Sequence, residues 1–214
     1  MNNNFVLIDA IFNSRLTLLD ILAARGYDVE RFRKFTPDMA ALAVSHYPGL
    51  SFKTSKTDEA GVQTTCDVRY ASVTRQKLDS YFDDVLDEDS ANTEVIVMLQ
   101  DPLADAHHAS ALKQYIKLKE SGERRKLRVY FFYIYAIVVN PLRHVLVPKH
   151  EIVPEKDHKA LMDSLYITTK SKFPEIKFHI DPITRCIGAV PGDIIKITRP
   201  SASSGESIIY RVCI

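Results

Sequence analysis

The chain has 214 residues, 46% hydrophobic and 26% charged, with a formal charge of +1. These are ordinary values for a folded protein, and they exclude whole-chain disorder, collagen-like repetition and a supercharged tail. Near neutrality also means that no global field draws the chain to nucleic acid or membrane, so any such binding needs a local patch.

Ile8, Ile11, Phe12, Leu16, Leu19 and Ile21-Leu22 recur at helical spacing. The run ends in Ala23-Ala24-Arg25-Gly26, where glycine can cap the helix in the left-handed conformation. Thr36-Pro37-Asp38 opens a second helix towards Tyr47, with Pro37 at a favoured first-turn position and His46-Tyr47-Pro48-Gly49 closing it. Residues 51–76 are rich in Ser, Thr and Lys. Within them Val62 to Val73 alternates as a strand, with Thr64, Cys66, Val68, Tyr70 and Ser72 on one face. Lys77 to Leu86 reads as a short helix. Val95 to Leu99 is a compact apolar strand broken by Asp101-Pro102, Ala104 to Glu120 is helical, and Arg128 to Val139 is a further strand region. This alternation predicts an α/β domain over residues 1–140, a mixed sheet with helices.

Asn140-Pro141 marks the boundary. Beyond it the spacing predicts a short strand at Val145 to Val147 and a helix at Asp157 to Leu165, then an extended segment from Phe173 to Pro182. Gly188, Gly192, Pro200 and Gly205 punctuate two alternating strands, Ile194 to Thr198 and Ile208 to Val212. Residues 141–214 therefore read as a small α+β domain ending in a hairpin-like pair. This last part carries 11 basic and 8 acidic groups, against 17 and 19 in the first 140 residues.

The sequence carries little that reads as catalysis. Cys66, Cys186 and Cys213 are far apart, which argues against a disulfide framework or a cysteine zinc site and points to a reducing compartment. The first residues lack the basic start of a signal peptide, and the apolar run Val129 to Val139 is too short to span a bilayer. Phosphate-binding glycine loops and nucleophile elbows are absent. His107-His108 is not a metal spacing on a helix, and His144, His150 and His158 have no fourth ligand at a recognisable distance. A metal-dependent nuclease would need a strand-closing acidic triplet with lysine, and Asp67-Val68-Arg69 does not supply it. Two charge runs stand out: an acidic one from Asp79 to Glu94, and a basic one from Lys113 to Arg128 able to meet phosphates. The expectation is no catalytic residue, no metal and no cofactor.

The last third is more specific. His144-Val145-Leu146-Val147-Pro148-Lys149-His150 resembles the H-x-L-V-P-x-H signature of one RNA polymerase component, the fifth subunit shared by the eukaryotic nuclear polymerases, together with its archaeal counterpart. Asp181-Pro182-Ile183-Thr184-Arg185-Cys186-Ile187-Gly188 resembles its D-P-x-x-R-x-x-G. Gly192 to Ile197, Arg199-Pro200-Ser201-Ala202-Ser203-Ser204-Gly205 and Tyr210-Arg211 resemble the blocks that follow. In the first 140 residues Arg25-Gly26-Tyr27 and the strand Val95 to Leu99 are similar to the extra N-terminal domain of the eukaryotic form. The following loop, Asp101 to His108, departs from the family's T-P-S-A-type turn.

The resemblance implies a non-catalytic subunit of a heteromeric polymerase with two domains. Residues 141–214 would dock on the largest subunit, near another small shared subunit. Residues 1–140 would form the lower jaw beside downstream duplex DNA. Interface candidates are His144, Pro148, His150, Arg185, Lys196, Arg199, Pro200, Tyr210 and Arg211, arginine being favoured at interfaces. His107, His108 and Lys113 are candidates for the DNA. The resemblance implies a nuclear protein in a cell, or one of virion and host cytoplasm if a large DNA virus encodes it, and no membrane partner. The alternative is a stand-alone adaptor or transcription regulator that reuses the fold.

Overall fold

The computed structural model describes residues 2–44, 47–58, 61–71, 78–81, 92–120 and 126–214. The chain divides into two compact units, Met1–Asn140 and Pro141–Ile214.

The first unit opens with α1 (Asn2–Ala24), whose Ala10, Ile11, Leu18, Leu19, Ile21 and Leu22 are buried. Gly26 stops it at φ +84°: its N–H bonds the Ala23 carbonyl and Tyr27 N–H bonds Leu22, a left-handed cap that any side chain would strain. Thr36 caps α2 (Pro37–Ala43) by accepting a hydrogen bond from Met39 N–H, with Pro37 in the first turn.

The sheet runs in the order β1-β2-β3-β4, built from β1 (Phe52–Thr57), β2 (Gln63–Ala71), β3 (Asn92–Leu99) and β4 (Lys126–Tyr133). β1 lies antiparallel to β2, while β2, β3 and β4 are parallel, so the sheet is mixed. β3 is buried from Thr93 to Leu99, as a central parallel strand covered on both faces must be. The crossover from β3 to β4 is α3 (Asp105–Glu120), the helix that a parallel connection requires. Phe52, Tyr70 and Tyr130 lie on one face, beneath Arg15 of α1 and Arg25 just after it. Phe131 lies on the other, with the His107 ring of α3 at 5.2 Å.

Several expectations change here. Strand β1 was not anticipated: FKTSKT is polar because it is an edge strand that buries only Phe52 and Thr54. The Arg128–Val139 run is not one strand, because β4 ends at Tyr133 and a 3-10 turn, Ile134–Ile137, follows. Of the helix expected at residues 77–86, only a 3-10 turn at Leu78–Tyr81 falls among the described residues. Most of the acidic run and Arg124-Arg125 of the basic run lie outside them.

The second unit is a sheet of order β5-β7-β8-β6, formed by β5 (Lys149–Ile152), β6 (Glu175–Ile176), β7 (Ile194–Ser201) and β8 (Gly205–Cys213). β7 and β8 form the anticipated hairpin, extended at both ends. Helix α4 (His158–Ser164) lies over one face, where Leu161 and Met162 pack on a core of Phe173, Ile194 and Val212. Helix α5 (Pro182–Ile187) was missed, because six residues are too few for a periodic pattern. Its punctuation is nonetheless complete: Asp181 Oδ1 accepts from Ile183 and Thr184 N–H, Pro182 follows the cap, and Gly188 closes the helix at φ +75°. Val145 to Val147 is a turn and not a strand; Val145 is 92% and Leu146 82% exposed, so neither finds a core to pack on.

Candidate functional site

Strand register in the second unit sorts the interface candidates onto two faces. Lys196 lies directly opposite Tyr210, and Pro200 opposite Glu206, so these side chains share the face that carries α4. His150 lies opposite Ile197, Arg199 opposite Ser207 and Arg211 opposite Ile195, on the reverse face. The nine residues therefore do not form one patch.

The individual environments differ as much. Arg199 and Pro200 are exposed at the far end of β7, where the hairpin outruns β5 by three residue pairs. His144 is exposed, and its Nδ1 accepts from Leu146 N–H, which organises the turn ahead of β5. His150 is half-buried with Nδ1 2.7 Å from the Pro148 carbonyl, so Nδ1 carries the proton and Pro148 fixes the ring through its backbone. Arg211 donates from Nη1 to the Glu175 carbonyl at 2.8 Å, tying β8 to β6.

Arg185 is far less accessible than the other interface candidates. It is only 9% exposed, in the middle of α5, and burial lowers its pKa, with Cys186 and Asp181 acting the other way. Its guanidinium is enclosed within its own unit.

The nucleic-acid candidates are also separated. His107 is 4% exposed in the first turn of α3. Its Nδ1 stands 3.0 Å from Ala104 N and accepts that N–H, so the imidazole serves the start of the helix. With its ring against Phe131, His107 offers no surface to DNA. His108 is half-buried and Lys113 exposed, roughly 100° and 240° around the helix from His107. Lys117 is exposed one turn beyond Lys113, on the same side.

A buried polar cluster in the first unit escaped sequence reasoning. Arg25 Nη2 meets Glu94 Oε2 at 2.5 Å, and Tyr27 Oη donates to the same oxygen at 2.8 Å. Lys56 Nζ donates to the Arg25 carbonyl and sits 4.6 Å from the centre of the Tyr27 ring. Burial and then the Glu94 charge drive the Tyr27 phenol far above its ordinary range, so it remains a donor. Burial, then Arg25, lowers Lys56. The three residues Arg25-Gly26-Tyr27 thus have separate structural tasks: ion pair, left-handed cap and hydrogen-bond donor. The available signal was a glutamate, Glu94, directly before the apolar run Val95 to Leu99.

Among the described residues no group of three or more His, Cys, Asp or Glu could hold a metal ion, and no helix is long and apolar enough to cross a membrane.

Comparison with known proteins follows the same division. Residues 139–213 match the family described as RNA polymerase Rpb5, C-terminal domain. A subunit named DNA-directed RNA polymerase subunit Rpo5 from Methanosarcina barkeri is 49% identical over 73 residues, 34% of this chain and 91% of that protein. The chain belongs to the RNA polymerase Rpb5 family. An Rpo5 from Archaeoglobus fulgidus is 48% identical over 71 residues, again 91% of its length. A Dictyostelium discoideum protein named DNA-directed RNA polymerases I, II, and III subunit rpabc1 is 27% identical over 207 residues, covering 97% of this chain and 98% of that one. The family member described here is thus of the two-domain eukaryotic type.

Proposed function

We propose that the chain is a non-catalytic subunit of a multisubunit DNA-directed RNA polymerase. One observation carries the reading: the archaeal relatives, named as polymerase subunits, match only about 73 residues here, yet that match spans 91% of their length. A surface sufficient for polymerase membership is therefore expected within residues 141–214. The first unit then adds a function that those archaeal subunits do without. The whole-chain likeness to the Dictyostelium subunit supports the same assignment for both units.

In this reading the second unit docks on the largest subunit, beside a small shared subunit. Arg199 and Pro200 at the hairpin tip, with the exposed Val145-Leu146 turn, suit that contact. A rigid proline loses little entropy on docking, an exposed arginine offers a planar fork of donors, and apolar residues with no intramolecular cover gain from burial. The first unit lies in the lower jaw near downstream duplex DNA, with Lys113 and His108 of α3 as its phosphate-facing groups. A cellular protein of this kind works in the nucleus, and a viral one in the virion and host cytoplasm. Catalysis belongs to other subunits.

The test is co-sedimentation of the tagged chain with polymerase activity. Arg199→Glu is expected to lower incorporation while the isolated protein remains folded. Unchanged incorporation removes Arg199 from the interface, and a wild-type chain that sediments alone favours the adaptor reading.

A further inference from the structure

The two long strands of the second unit differ in how their outer edges are closed. Strand β7 is covered by β5 from Ile195 to Thr198, and beyond Thr198 its outer edge carries Pro200, which has no N–H to offer. Strand β8 has no such closure, because β6 covers it at Val212 and Cys213 alone. Val212 N–H bonds the Pro174 carbonyl on the β6 side, whereas Cys213 N–H turns back to Asp193 beside β7. Backbone groups alternate along a strand, so Glu206, Ile208 and Tyr210 turn theirs the same way as Val212, to the open edge. Among the described residues nothing bonds the backbone N–H or carbonyl of Ile208 or Tyr210 on that side. The Glu206 carbonyl takes the Ser204 hydroxyl at 2.9 Å and keeps a second lone pair. Ile208 is 49% exposed, and from Gly205 to Arg211 the edge holds neither proline nor lysine, the residues that ordinarily keep another strand away.

We propose that the open edge of β8 pairs with β8 of a second copy of this chain, antiparallel and about a two-fold axis at Ile208. Ile208 then lies against Ile208 of the second copy, and Glu206 against its Tyr210, twice by symmetry. The overlap fits the gap. One edge-facing residue further along, Ser204 would meet Val212 of the second copy, which β6 already holds. Charge and length select this register. Centring on Glu206 would set two carboxylates opposite each other, and centring on Ser207 would leave Tyr210 facing the turn. About Ile208, each Glu206 meets a phenol that can donate to it, with Lys196 one strand beyond on the same face. Arg211 falls opposite Gly205, so no like charges meet. The pairing needs no other chain and does not rest on the polymerase-subunit reading.

The experiment is sedimentation of the isolated full chain over a range of concentrations, with amide exchange read on the same samples. A dimer is expected at high concentration. The Ile208 and Tyr210 amides should exchange more slowly as it forms, while those of Ser207 and Ile209, which face β7, change little. Ile208→Pro removes an outward N–H from each copy and no bond to β7. Ile208→Glu sets two carboxylates opposite each other from an exposed position that the fold tolerates. Each should weaken the dimer about tenfold. Ile208→Val should leave it near wild type. A chain that stays monomeric at every concentration, a dimer whose Ile208 and Tyr210 amides exchange unchanged, or a dimer that both disruptive variants form as readily as the wild type overturns the proposal. Protection of those amides only when other polymerase subunits are added also overturns it, by giving the edge to a different chain. None of these results contradicts the polymerase-subunit reading.

Discussion

Arg25 and Glu94 form a buried ion pair, Nη2 to Oε2 at 2.5 Å, with the Glu94 side chain wholly enclosed and that of Arg25 7% exposed. The pair joins the end of α1 to the head of the central strand β3, and Tyr27 completes it from the residue after the Gly26 cap. Such a pair is worth little against a well-packed apolar substitute, but breaking it from one side strands a charge in the core. Glu94→Gln is expected to cost the first unit about 3–5 kcal/mol. Denaturant unfolding followed by amide exchange in β3 measures this, and a cost below about 1 kcal/mol, the scale of a surface pair, contradicts the account.

Gly26 tests the cap separately from the pair. Open space surrounds the position where its Cβ would stand, so Gly26→Ala meets no clash and pays only for φ +84°. The expected loss is about 1–2 kcal/mol. Thermal unfolding of the variant reads it, and an unchanged midpoint would mean that another conformation ends the helix.

Sequence and structure agree where the local signal and the tertiary role coincide. Helix α1 is legible because its buried residues recur at the helical period and Gly26 punctuates its end. Strand β3 is legible because burial on both faces leaves an unbroken apolar run. Strand β1 was hidden because an edge strand need bury only alternate residues, and here just Phe52 and Thr54. The Val145–Val147 run misled for the opposite reason: apolar residues suggested a strand, yet Val145 and Leu146 face outwards. At the candidate site, the short motifs name segments but not the faces on which their side chains lie. Only the β7–β8 register puts Lys196 beside Tyr210 and turns Arg199 and Arg211 to the reverse face. His107 and Arg185 read as surface groups by type, whereas packing enclosed both.

The α3 candidates divide into a structural histidine and an exposed lysine. His107→Ala is expected to lower the stability of the first unit by about 1–2 kcal/mol through the lost bond to Ala104 N–H and the lost packing on Phe131. Lys113→Gln should leave stability unchanged and weaken crosslinking to downstream DNA in assembled polymerase. Undiminished crosslinking by Lys113→Gln would assign the DNA contact to other residues.

Alkaline pH probes the second unit. Burial, then the charges of Asp193 and Asp181, push the Cys213 thiol from 9.0 up to about 12. The unfolded chain loses this proton near its ordinary pKa while the folded chain retains it, so stability is complete below that pH and falls as pH rises towards 12. The slope contributed is at most about 1.4 kcal/mol per pH unit. Cys213→Ala should remove that share of the slope between pH 9 and 12, although the variant starts less stable. Amide exchange in β7 and β8 across this range reads the slope, and identical slopes for both proteins would refute the assignment.

The most direct test of the central claim is affinity capture of the tagged chain from its source, followed by mass spectrometry with quantitation. Two large polymerase subunits recovered in stoichiometric amounts with the chain are the predicted result. Recovery of the chain alone, or with a partner that is not part of a polymerase, would contradict it.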